Sequence, residues 1–195
     1  MNGVIQERKR LTLSDSDFLD LDWSYTSKKT NKLVILLHGL EGHAQRPYML
    51  GVAKLFNNED YDAISVNFRN CSNTPNLKFR TYHSGATEDL HDVVQHGIDQ
   101  GYTSISIVGV SLGGNLALKY VGERAVLEEV KSVVAVSVPI SLYHSMLELH
   151  KFENILYASR FKKHLLKSLE RKRLQFPGRI SDEEINGIKT LKDFD

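Results

Sequence analysis

The sequence predicts an α/β protein built on a mostly parallel, doubly wound sheet. Three observations carry that prediction. Residues 33–37, 63–67, 104–109 and 132–138 are unbroken β-branched or aliphatic runs, as in parallel strands covered on both faces. Segments with apolar residues at helical spacing alternate with them. The glycine-flanked string Gly109-Val110-Ser111-Leu112-Gly113-Gly114 ends one such run and opens a helical segment.

Each element follows in chain order. Residues 10–13 and 18–23 alternate in polarity around Ser14-Asp15-Ser16-Asp17 and predict an antiparallel hairpin. The strand at 33–37 is followed by a helix at 47–56. The strand at 63–67 is followed by a helix at 86–98, with Leu90, Val93, Val94 and Ile98 on one face. Ser84 is the expected N-cap of that helix, and Glu88 and Asp89 suit the positive end of its dipole. The strand at 104–109 leads through Ser111 into a helix at 112–123, where Leu112, Leu116, Ala117, Tyr120 and Val121 recur at helical spacing. The strand at 132–138 is the last one expected. From Ser141 the pattern is helical, with stripes at Leu142, Met146 and Leu149 and at Phe161, Leu165, Leu166 and Leu169.

A chain of 195 residues with 41% hydrophobic content can bury a substantial core, and a single globular domain over residues 1–195 is expected. The 25 Lys and Arg against 24 Asp and Glu leave no global field to recruit nucleic acid, so no nucleic-acid partner is expected. The single cysteine, Cys71, excludes an internal disulfide and suits a loop or core position in a reducing compartment. Residues 1–10 lack the apolar region of a signal peptide and no later stretch reaches membrane-spanning length, so a cytoplasmic location is expected.

Ser111 is the candidate nucleophile. A serine in a strand-to-helix turn is held in a strained conformation, and glycines two before and two after it keep side chains clear of strand and helix.

Several strings together resemble the α/β hydrolases, and within them the YheT-like branch. They are the hairpin through Asp15-Ser16-Asp17-Phe18-Leu19-Asp20-Leu21-Asp22-Trp23, then His38-Gly39-Leu40-Glu41-Gly42 and Asn67-Phe68-Arg69-Asn70-Cys71-Ser72. Tyr82-His83-Ser84-Gly85-Ala86-Thr87-Glu88-Asp89-Leu90, the segment from Gly109 to Asn115, and Ser137-Val138-Pro139-Ile140 complete the set, which spans almost the whole chain. The resemblance implies an α/β-hydrolase fold and hydrolysis of carboxylic esters, of the short-chain or acylglycerol type, by a Ser-Asp-His triad. It implies no cofactor and no metal, and a small-molecule ester or lipid as the partner. The backbone N–H groups of Leu40 and Leu112 are expected to form the oxyanion hole, with Gly39 and Gly42 allowing close approach. His38 precedes the nucleophile, whereas the triad order of the fold is serine, acid, histidine, so it is expected to support its loop.

Downstream of Ser111 the histidines are His144, His150 and His164, all in the helical region, and the first aspartate is Asp182. The acid and histidine of the triad are therefore expected to be absent from this chain, with the C-terminal strands of the fold missing and the beginning also short. Catalysis by the isolated chain is then residual, and the strand at 132–138 becomes an apolar edge prone to aggregation. The alternative function is a non-catalytic acyl-ligand or protein-binding module that keeps the pocket and the oxyanion hole.

Residues 141–190 are expected to form a helical lid. Within it, Arg160, Lys162, Lys163, Lys167, Arg171, Lys172 and Arg173 face a single Glu170, with leucines opposite. A solvated lid helix is the favoured reading, and a weak contact with an anionic lipid surface through 160–173 is the alternative. The spacing of His83, His91 and His96 does not suit a metal; a helix-start role is expected for His83 and solvent exposure for the other two. Arg69 is expected to fix its loop by hydrogen bonds.

Overall fold

A computed structural model describes residues 4–123 and 125–194. The chain divides into two compact units, Met1–Val138 and Pro139–Asp195.

The first unit is a six-stranded sheet with helices on both faces. Its strands are β1 (Glu7–Thr12), β2 (Phe18–Ser24), β3 (Lys32–Leu37), β4 (Asp62–Asn67), β5 (Ser104–Val110) and β6 (Val130–Val136), in the spatial order β1-β2-β4-β3-β5-β6. β1, β2 and β4 pair antiparallel, while β4, β3, β5 and β6 run parallel. The helices are α1 (Pro47–Asn58), α2 (Thr87–Asp99) and α3 (Leu112–Glu123).

The alternation of side chains along β3 explains why its sequence is apolar throughout. Leu33, Ile35 and Leu37 pack into the larger core with Leu90, Val93 and Val94 of α2 and Leu116, Ala117 and Tyr120 of α3. Val34 and Leu36 point the other way, against Met49 and Ala53 of α1. A strand buried on both faces has no polar positions to show.

Local departures have physical reasons. β1 begins at Glu7 rather than at residue 10, because its charged side chains are satisfied across the hairpin. Arg8 lies opposite Asp22 and Arg10 opposite Asp20, each in a forked ion pair, and Lys9 sits over the Trp23 ring. Ser84 is not the cap of α2. The helix starts after Ala86, without a side-chain cap, because His83-Ser84-Gly85-Ala86 forms its own turn, with Ala86 N–H donating to His83 O. β6 spans 130–136 instead of 132–138. It stops where Ser111 N–H takes the Val136 carbonyl and Ser137 turns the chain with a φ of 51°. β6 is an edge of this sheet, with Val134 and Val136 exposed.

The second unit is helical: α4 (Leu142–Leu149), α5 (Ile155–Gln175) and α6 (Asp182–Gly187), joined by short turns. Ser141 caps α4, and Ser181 with Glu184 forms a capping box on α6. Not all of the basic side chains on α5 face solvent, since Lys172 is buried with its Nζ 4.9 Å from the Phe176 ring centre. No helix among the described residues is long and apolar enough to cross a membrane.

Candidate active site

Ser111 lies in the turn between β5 and α3 with a φ of 53°, a left-handed conformation that a serine adopts only under constraint. Both sides of the turn supply it. Ser111 N–H donates to Val136 O, and its carbonyl accepts from Asn115 N–H as the first bond of the helix. The flanking glycines are required by contact. A Cβ on Gly109 would stand 2.3 Å from the Gly113 carbonyl oxygen, and one on Gly113 would stand 2.5 Å from the Leu37 carbonyl oxygen. α3 thus starts in direct backbone contact with the end of β3.

That contact brings two loops together. β3 and β5 are parallel neighbours, with Leu37 opposite Gly109, so the residues after each emerge side by side at the carboxyl end of the sheet. A Cβ added to Gly39 would lie 3.3 Å from Ser111 Cβ and 3.8 Å from its Oγ. His38-Gly39-Leu40 therefore passes directly beside the serine.

Side chains hold this loop from beneath. His38 is fully buried, its Nδ1 2.7 Å from Gly39 O and its Nε2 accepting from Phe68 N–H. Phe68 N–H has only an unprotonated nitrogen to donate to, so Nδ1 carries the proton and the ring is neutral. His38 supports its loop, as expected. The His38 ring packs at a tilt on Phe68, with centroids 4.3 Å apart, and Phe68 stacks on Tyr82 at 5.5 Å. Tyr48 and Tyr82, whose hydroxyls accept from the Gly39 and Glu41 N–H groups, are the contributors that the sequence did not point to. Tyr48 carried no signal, and Tyr82 lay in a family string without a role.

Burial pushes His38 down to about 4. The unfolded chain binds a proton at this ring below about pH 6.5 while the folded one does not, so stability falls as pH drops from 6.5 to 4. The His38 share of that loss is about 3 kcal/mol. In an NMR titration of the folded protein the His38 ring protons should hold their shifts from pH 8 to pH 5; titration near 6.5 would contradict this.

Arg69 fixes a second set of loops and touches nothing of Ser111. Its guanidinium is 1% exposed and makes paired 2.7 Å bonds to both oxygens of Asp89 in α2, with further bonds of 3.0 and 3.1 Å to Asp15 and Asp17 in the hairpin turn. His91 and His96 are half-buried rather than solvent-exposed. His91 Nδ1 lies 3.3 Å from Tyr120 Oη, and His96 packs edge-on to Trp23. His83 acts at the start of α2, its Nδ1 accepting from Gly85 N–H. Of the downstream histidines, His144 pairs with the capping Ser141 and His150 with the Met146 carbonyl, both inside the second unit.

Residues 32–183 match the family described as alpha/beta hydrolase fold. The chain is 31% identical over 193 residues to the putative esterase YheT of Escherichia coli (strain K12), covering 96% of this chain and 56% of that protein. It is 27% identical over 202 residues to human phospholipase ABHD3, covering 98% of this chain and 49% of that protein. It thus spans about half the length of these relatives. A solved structure of the Pyrococcus furiosus esterase Pf2001 shares the fold at a TM-score of 0.64 and 24% identity, over 93% of this chain and 65% of that one. With a sheet wound on both faces, a glycine-bounded serine turn after β5 and a family match across most of its length, the chain belongs to the α/β-hydrolase family and is YheT-like in sequence.

Proposed function

We propose that the protein is a serine hydrolase of carboxylic esters, with Ser111 as nucleophile. In this reading Ser111 Oγ attacks the ester carbonyl, the alcohol leaves with a proton, and water then releases the acid from the acyl-enzyme. The tetrahedral oxyanion is held by the N–H groups of Leu40 and Leu112. The observation that carries the proposal is how near position 39 lies to Ser111, where a Cβ built on Gly39 would stand 3.3 Å from Ser111 Cβ and 3.8 Å from its Oγ. That nearness supports the reading in which Leu40, the next residue of the loop, and Leu112, the first residue of α3, flank the hydroxyl.

A pattern of occupied donors supports the choice of Leu40. Gly39 N–H donates to Tyr48 Oη at 3.1 Å, Glu41 N–H to Tyr82 Oη at 2.8 Å, and Gly42 N–H to Gly39 O at 3.0 Å. Among the described residues no hydrogen bond is made by Leu40 N–H or Leu112 N–H. An unpaired backbone donor next to a nucleophile is what a developing negative charge requires. The esterase and phospholipase relatives support an ester or lipid substrate. The acid and base of the triad are assigned to no residue of this chain, and His38, with both ring nitrogens engaged, is not a base for Ser111.

The test is labelling by an alkyl fluorophosphonate, alongside turnover of a short p-nitrophenyl ester, in wild type and Ser111→Ala. Labelling lost in Ser111→Ala is expected, with low ester turnover by residues 1–195, to which no triad acid or base is assigned, since such groups carry on the order of 10⁴ to 10⁶ in rate. Identical labelling of the two proteins, or none of either, would overturn the nucleophile and favour the ligand-binding module.

A further inference from the structure

The loop that carries Leu40 is not held by the glycines alone. Glu41 has a φ of 54°, which a residue with a Cβ adopts at a cost unless its surroundings impose it. Those surroundings are specific. Tyr82 Oη donates to Glu41 Oε1 at 2.9 Å and accepts from Glu41 N–H at 2.8 Å, so one hydroxyl grips both the side chain and the backbone of a single residue. Arg46 Nη2 donates to the Glu41 carbonyl at 3.1 Å. The Tyr82 ring is fixed in turn by stacking on Phe68, which packs on His38. On the other side of Leu40, Tyr48 Oη takes the Gly39 N–H. Leu40 N–H is therefore bracketed by two amides whose directions are set by tyrosine hydroxyls.

We propose that Tyr82 and Glu41 form a clamp that positions the Leu40 N–H beside Ser111, making both of them positioning residues for the oxyanion hole; this rests on the reading of Leu40 as an oxyanion donor. The phenol stays protonated and able to donate, because burial, followed by the nearby Cys71 and Glu41 side chains, holds its ionisation well above the ordinary tyrosine value. The clamp acts through backbone direction: without the hydroxyl, Glu41 N–H loses its acceptor, the left-handed turn relaxes, and the peptide plane between Leu40 and Glu41 turns, carrying the Leu40 dihedrals and with them the preceding plane that bears Leu40 N–H. A packing role for the Tyr82 ring alone would survive loss of the hydroxyl.

The experiment uses Tyr82→Phe, Glu41→Ala and Glu41→Gln. Its readouts are the second-order rate of Ser111 modification by an alkyl fluorophosphonate and the NMR hydrogen exchange of the Leu40 and Glu41 amides. Tyr82→Phe should slow labelling roughly tenfold, less than the 10²- to 10³-fold effect of deleting an oxyanion donor outright. It should also speed exchange of Glu41 N–H by about tenfold or more as the local turn opens. Glu41→Ala should show a smaller loss of labelling rate, and Glu41→Gln, whose amide oxygen still accepts from Tyr82, should restore most of it. An unchanged labelling rate in a folded Tyr82→Phe overturns the clamp, whatever the exchange shows. If Tyr82→Phe fails to fold, the Glu41 pair decides: loss in Ala with rescue in Gln supports the clamp, and Ala equal to wild type overturns it. If wild-type Ser111 takes no probe, the nucleophile reading falls. The clamp then stands or falls on exchange, unchanged Glu41 exchange in Tyr82→Phe overturning it.

Discussion

Replacing Arg69 by Met lowers stability at neutral pH by about 3–5 kcal/mol, the range for removing one member of a buried ion pair. The guanidinium is the shared counter-charge of Asp89, Asp17 and Asp15, and the first two carboxylates are buried. Met fills a similar volume but leaves those carboxylates without their cation; the next nearest, Arg80, approaches Asp89 only to 3.9 Å. Proton linkage separates this from a packing defect. In the wild type, burial alone would raise Asp15 and Asp17. Hydrogen bonds from Arg69 and the Asp17 backbone to Asp15, and from Asn76, Leu77, Phe18 and Lys78 to Asp17, outweigh it and hold both below the usual carboxylate range. They therefore stabilise the fold above about pH 4 and lose that contribution as pH falls further. In Arg69→Met, Asp15 loses the guanidinium hydrogen bond that offsets its burial and takes up a proton earlier, so the stability gap to wild type narrows on acidification. Urea denaturation of both proteins at pH 7 and pH 5 measures the gap, and a gap independent of pH would contradict the electrostatic account.

Gly113→Ala loses about 3 kcal/mol, the upper end of the ordinary overpacking range. The new methyl would sit 2.5 Å from the Leu37 carbonyl oxygen and 2.7 Å from that of His38, backbone atoms that cannot rotate away. α3 must lift from the end of β3, which also parts Ser111 from Gly39, so fluorophosphonate labelling drops with stability. Gly51→Ala in α1 is the control: nothing lies within 4 Å of the added methyl, and the helix gains up to about 1 kcal/mol. Thermal melts of the two variants should move in opposite directions.

The parallel strands were legible because β3, β4 and β5 are buried on both faces and their residues have no reason to be polar. The serine turn was legible because its steric demands leave glycine at Gly109 and Gly113. β1 was only partly legible: its stability comes from pairing Arg8 and Arg10 with buried aspartates on another strand, which no local pattern displays. The cap expected at Ser84 failed for a related reason, since the His83 carbonyl claims the chain for a turn before the helix begins.

The wound sheet, the order of its elements and the residue at the turn after β5 are written into residue type, because burial period and steric exclusion act along the chain. What surrounds that turn arises only on folding. The approach of Gly39 to Ser111, the occupation of the Gly39 and Glu41 amides by two tyrosines, and the burial of His38 as a neutral support all join residues distant in sequence. Such contacts depend on which strand ends become neighbours, and pairing across a sheet leaves no periodicity in the chain that forms it.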